Sequence, residues 1–139
     1  MKNLFKRGIE PQKDLNDKIY YYLQKNAVGY EKRVKSSVLM SMFNIEDNKT
    51  LRSHIENIRD NMDYNYIICS EAGQNGGYWI ATNEKEVYDT LKHFYQRSMK
   101  MLYTYSKIKN KLKLNKQMRL KIQNMEEEIY KSILESEGN

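Results

Sequence analysis

The sequence predicts an α+β fold that is mostly helical. Three observations carry this. Between residues 14 and 59, apolar residues recur at helical spacing in three separate short stretches. Between 66 and 82, two alternating apolar runs flank a segment holding Gly73, Gly76 and Gly77, the pattern of a hairpin. From Val87 onward, an apolar stripe repeats at alternating spacings of four and three. A length of 139 residues suits one domain, or a small domain with an appendage. We read residues 1–12 as a flexible N-terminal arm and 13–82 as the compact domain. Residues 83–135 read as a helical extension with a possible break near 113–116, and 136–139 as a tail.

Asp14 can cap a first helix over about 14–26, with Leu15, Ile19, Tyr22 and Leu23 on one face. Gly29 suits a left-handed cap. Val34 is placed to pair as a short strand with the hairpin. A second helix starts at Lys35 or Ser36, turning Leu39, Met42 and Phe43 inward. Asn44 occupies a turn that wants positive φ, and Ile45 plugs the space between helices. Asp47 or Asn48 caps a third helix whose Leu51, Ile55 and Ile58 form a narrow buried stripe. Met62 is expected to close the core beyond it. The strands are expected over Tyr66–Ser70 and Tyr78–Thr82, with Trp79 on the opposite face from its neighbours. Asn83 and Glu86 match a capping box at the head of the extension.

Helix, turn, helix and hairpin in this order is the layout of a winged helix-turn-helix, here followed by a long C-terminal helix or helical pair. In that layout the third helix enters the DNA major groove and the hairpin touches backbone or minor groove. The candidate DNA-binding residues are then Lys35, Ser36 and Ser37 at the start of the second helix. Asn48, Lys49, Thr50, Arg52, Ser53 and Asn57 lie on the outer face of the third. Gln74 and Asn75 lie at the hairpin tip. Hydroxyls, amides and cations of these types reach phosphates and base edges.

The stripe Val87, Leu91, Phe94, Met101, Tyr105, Ile108 and Leu112 is the candidate dimerisation surface, since a helix of that length exceeds what a small domain covers. After Leu112 the phase slips, and Leu114, Met118, Ile122, Met125, Ile129 and Ile133 form a second stripe. Charge is uneven along the chain. Residues 51–81 hold two basic and four acidic side chains, 82–125 hold eleven and three, and 126–139 hold one and five. The basic segment can face phosphate or serve as the solvated side of a packed helix.

No catalytic constellation is visible. His54 and His93 lack helical metal partners, and Cys69 has no companion cysteine. No enzyme activity, cofactor or metal is expected. A lone cysteine and the lack of a signal-like or membrane-spanning run lead us to expect a cytoplasmic protein without membrane contact.

Two segments carry a resemblance: Leu51-Arg52-Ser53-His54-Ile55-Glu56-Asn57-Ile58-Arg59, and the hairpin end Gly76-Gly77-Tyr78-Trp79-Ile80-Ala81. Over about 14–110 the chain resembles small winged-helix proteins of phages and prophages of low-GC Gram-positive bacteria. It is also similar to the N-terminal DNA-binding domain of the biotin-operon repressor. The resemblance implies a phage-encoded DNA-binding protein acting in transcriptional regulation or replication initiation. An alternative expectation is a protein-interaction module that binds and inhibits a host replication or defence protein.

Overall fold

The computed structural model describes residues 14–138, so the arm expected at 1–12 lies outside the described residues. The chain is mostly helical with a two-stranded antiparallel sheet. The elements are α1 (Leu15–Asn26), a 3-10 turn (Tyr30–Lys32), α2 (Ser36–Met42), α3 (Asn48–Asp60), β1 (Ile68–Glu71), β2 (Gly77–Ile80), α4 (Glu84–Asn110) and α5 (Lys116–Gly138). The chain divides into two compact units, meeting in sequence at His93 and Phe94 within α4.

In the first unit, α1 is capped by Asp14, whose carboxylate accepts from the Asp17 N–H at 2.8 Å. It buries Ile19, Tyr20 and Leu23 against Leu51, Ile55 and Ile58 of α3 and Leu39 of α2. At about 1.5–3 kcal/mol for each large apolar side chain taken out of water, this shared core is what makes three short helices stable together. Asn44 closes α2 with φ 55°, and the Ile45 N–H bonds the Met40 carbonyl at 2.9 Å. That is the six-to-one bond of a helix C-terminal reversal, and it turns the chain directly into α3. Ile45 is buried in the gap, as expected.

Two inward assignments are corrected. Met42 is exposed, and Met40 packs on the core in its place. On α2, Ser36, Leu39, Met40 and Phe43 share one face, and Met42 lies about 110° from its centre. Met62 is 88% exposed. The chain turns sharply after Asp60, with the Tyr64 N–H on the Asn61 carbonyl, which throws Met62 outward. Tyr64 fills the position instead, its ring 4.6 Å from that of Tyr20 and its hydroxyl bonded to Asp17.

The hairpin pairs Ile68 with Ile80 and Glu71 with Gly77, offset by two residues at its start from the expected 66–70 strand. β2 also pairs along its second edge. Val34 and Tyr78 exchange both backbone bonds at 2.9 Å, so the predicted pairing of Val34 is present. The Gly29 N–H reaches the Ile80 carbonyl, and the Ile80 N–H reaches the Ala27 carbonyl at 2.7 Å. Gly29 has positive φ (92°) with ψ 151°, so it lies extended along β2 and the C-cap of α1 falls to Ala27. Gly77 is required by closeness: a Cβ there would sit 2.4 Å from the Val34 carbonyl oxygen.

Tyr78 and Ile80 face the main core, and Trp79 points the other way, as the alternation predicts. Yet Trp79 is only 4% exposed. Its ring packs edge-on to Tyr30 at 5.1 Å, beside buried Cys69 and Thr90. Glu86 organises this second face. It accepts from the Thr82 N–H (2.9 Å), Thr82 Oγ1 (3.2 Å), Trp79 Nε1 (3.2 Å) and Tyr30 N–H (3.2 Å). Asn83 meanwhile accepts from the Glu86 N–H at 3.0 Å. This is the expected capping box, except that the glutamate reaches the N–H of Thr82 instead of Asn83 and ties in two further segments.

Partial burial pushes the Glu86 carboxyl up, but the donors of Thr82, Tyr30 and Trp79 outweigh it and hold it below its ordinary value. A depressed folded value contributes stability above the unfolded value of about 4.3, lost as pH falls through the lower folded value. Glu86→Ala should therefore cost about 2–4 kcal/mol at pH 7 in urea melts, from loss of several charge-assisted bonds. The gap to wild type should shrink below about pH 4.

In the second unit, α4 ends at Asn110 and the chain turns through 111–115. Asn115 caps α5 by accepting from the Met118 N–H at 3.0 Å. The break expected near 113–116 is thus a turn between two helices. α5 runs to Gly138, through most of the segment read as a tail. Glu126 of α5 accepts from Tyr105 Oη (2.5 Å) and pairs with Lys109 (2.9 Å), so α5 returns beside the end of α4.

Candidate nucleic-acid interface

Each predicted contact residue can be placed from its element. Lys35 is the N-cap position of α2 and is exposed, but its side chain makes no capping bond. Ser37 is exposed, and Ser36 is half-buried, engaged with the Tyr78 phenol. On α3, burial of Leu51, Ile55 and Ile58 forces the opposite side outward. Asn48, Lys49, Thr50, Arg52, Ser53 and Asn57 are accordingly all exposed. Asp47 fixes the start of this helix, accepting from the Thr50 N–H at 2.7 Å.

Tyr78 brings these elements to one place. Its ring is buried in the hairpin, and burial pushes its phenol above the ordinary value. Arg59 and Arg52 of α3 pull it back, Ser36 of α2 bonds to it, and Glu56 of α3 opposes them. The start of α2, the outer edge of α3 and β2 therefore converge at this hydroxyl. Arg59 also latches α3 to β1, donating to the Ile68 carbonyl (2.8 and 3.0 Å) and Ser70 Oγ (3.1 Å).

Gln74 and Asn75 sit exposed at the hairpin turn. The tip is held from below by Arg33, whose Nε donates to the Asn75 carbonyl at 2.7 Å while its guanidinium lies 4.1 Å from the Tyr30 ring centre. The Asn75 side chain is left to face outward. Arg33, Arg59 and Tyr78 were not among the residues singled out from sequence. Arg59 and Tyr78 lie within the two segments that carry the family resemblance, a usable signal. Nothing in the local pattern marks Arg33.

The exposed face around α3 is close to neutral: Lys35, Lys49 and Arg52 stand against Glu46, Asp47 and Glu56. His54 ties α3 to α1, its Nδ1 lying 2.7 Å from Asn16 Oδ1. A groove of about 700 Å³ opens behind the hairpin beside Tyr30, Glu71, Trp79, Glu86 and Asp89. Its carboxylates disfavour phosphate. No group of residues able to hold a metal occurs among the described residues.

The expected dimerisation stripe is largely open. Leu91, Phe94, Met101 and Ile108 are exposed, while Val87, Tyr105 and Leu112 are half-buried. No helix among the described residues is long and apolar enough to cross a membrane. Comparisons with protein families, curated proteins and solved structures find no match for this chain.

Two tests address the geometry of this face. Hydrogen bonding from Thr50 depresses the Asp47 carboxyl, so its contribution is present above an unfolded value of about 3.9 and lost as pH falls further. Asp47→Ala should lower the thermal midpoint at pH 7, with the difference fading below about pH 4. Arg33→Gln should speed amide exchange at Gly76 roughly three- to tenfold and leave the α3 amides unchanged.

Proposed function

We propose that the first unit is a winged helix-turn-helix, and that the chain is a DNA-binding protein of phage origin acting as a dimer in transcriptional regulation or replication initiation. The observation that carries this is the exposed polar face of α3, set at a fixed angle to α2 by the Asn44 turn and joined to the start of α2 and to the hairpin at Tyr78. A short helix, a tight turn and a polar outer helix face suit insertion in a major groove. Lys49, Thr50, Arg52, Ser53 and Asn57 are the groove-facing set, with Lys35 and Ser37 on phosphate and Gln74 and Asn75 at the wing tip. Non-specific affinity comes mainly from the segment Phe94–Met125, which holds nine basic side chains and no acidic one.

A second reading is favoured by the near-neutral charge around α3: an interaction module that inhibits a host replication or defence protein. A stoichiometric protein partner retained from nuclease-treated host lysate, with no DNA affinity, would select it.

Fluorescence anisotropy on random duplex DNA separates the two. DNA binding at low salt should weaken steeply as salt rises, with the log–log slope falling by about one for each phosphate-contacting cation removed. A Lys49→Ala/Arg52→Ala variant should bind roughly tenfold more weakly. Absence of binding at low salt would sink the DNA reading.

A further inference from the structure

No described residue from Phe94 to Ser136 is buried. Yet α5 carries an apolar stripe of Met118, Ile122, Met125, Ile129 and Ile133, of which Met118, Met125, Ile129 and Ile133 are exposed. A helical hairpin of this size without a core does not hold itself together. Its charges are also set against its own dipole. Lys116, Arg119 and Lys121 crowd the N-terminal turns of α5, where cations are unfavourable, and Glu127, Glu128 and Glu135 follow toward the C-terminal end. Both faults are cured by one kind of neighbour: a helix with the same stripe and the opposite charge order.

We propose that α5 pairs two copies of this chain as an antiparallel helix dimer centred on Met125. The spacing is close to palindromic about that residue. Ile122 then faces Ile129 of the second copy, and Met118 faces Ile133, within one residue of register. At about 100° per residue, Lys121, Glu128 and Glu135 lie along one flank of the stripe. Glu126 lies on the other, where Tyr105 and Lys109 of α4 occupy it. The open flank therefore brings Lys121 of each copy to Glu128 of the other, twice by symmetry. Parallel pairing would set this flank against the opposite one of the second copy, where Tyr105 and Lys109 of α4 already occupy Glu126, so the open flank selects the antiparallel sense. Each helix end also gains the opposite charge it lacks. This deepens the dimeric part of the function proposed above.

Sedimentation of the full chain without DNA tests it. Wild type should show twice the 16.7 kDa chain mass in the micromolar range. At about 50 mM salt, Lys121→Glu and Glu128→Lys should each weaken the dimer roughly tenfold, and less at high salt. The double variant Lys121→Glu/Glu128→Lys should return to wild-type association, a result no folding defect would give. Ile122→Asp/Ile129→Asp should be monomeric, with an unchanged near-ultraviolet signal from Trp79 in the first unit. A monomeric wild type at about 100 μM would overturn the proposal. So would a dimer indifferent to all three charge variants, which would place the interface elsewhere. Association that appears only when duplex DNA is added would also overturn it. Because the first measurement holds no DNA, loss of self-association and loss of DNA binding are read separately.

Discussion

The first unit depends on β2 being paired along both edges. Gly77 to Ile80 are all buried, so every backbone donor and acceptor in the strand has to find a partner inside the protein. β1 satisfies one edge. The other is satisfied by residues far upstream: Ala27, Gly29 and Val34. A two-stranded hairpin alone is marginal in water. Here the second edge turns it into the middle of a three-segment layer, with α1 and α3 on one face and Trp79 on the other. The close approach of Gly77 to the Val34 carbonyl, with no room for a side chain, is the local mark of that constraint.

Glu86 completes the same design from the other side. A single carboxylate at the head of α4 collects donors from the 3-10 turn, from β2 and from Thr82 in the link between β2 and α4. Three parts of the chain are tied by one charged group at a helix N-terminus, where the dipole favours it. Apart from the cap at Asp47, the outer face of α3 takes no part in this network. Its polar side chains are exposed because the buried stripe lies opposite, not because anything holds them outward.

Charge is divided between two places. The proposed reading face carries as many acids as bases, whereas the segment after Phe94 is wholly basic until Glu126. A protein built this way would draw affinity from one region and register from another. A second copy, brought by α5, would double both. The acidic end of α5 suits a basic helix of another chain as well as it suits solvent, and only the former also covers the open stripe.

Much of the first unit was legible in the sequence. The caps Asp14 and Asp47, the positive φ at Asn44, the stripe Leu51–Ile55–Ile58 and the pairing of Val34, with the turn near 113–116 in the second unit, all follow from local rules of spacing and hydrogen bonding. What local rules could not reach was set by long-range contacts. Met42 and Met62 face solvent because one short helix and one sharp turn were oriented by partners distant in sequence. Trp79 alternates as expected but is buried, because Tyr30 and Glu86 come to it from positions no periodicity links. Arg33 holds the hairpin tip through a backbone carbonyl 42 residues away. The elements, their caps and the polar face of α3 could be read from the order of residues, since these depend on neighbours within a few positions. Which surfaces meet follows from the folded layer instead, because pairing both edges of β2 selects contacts by closure of the whole.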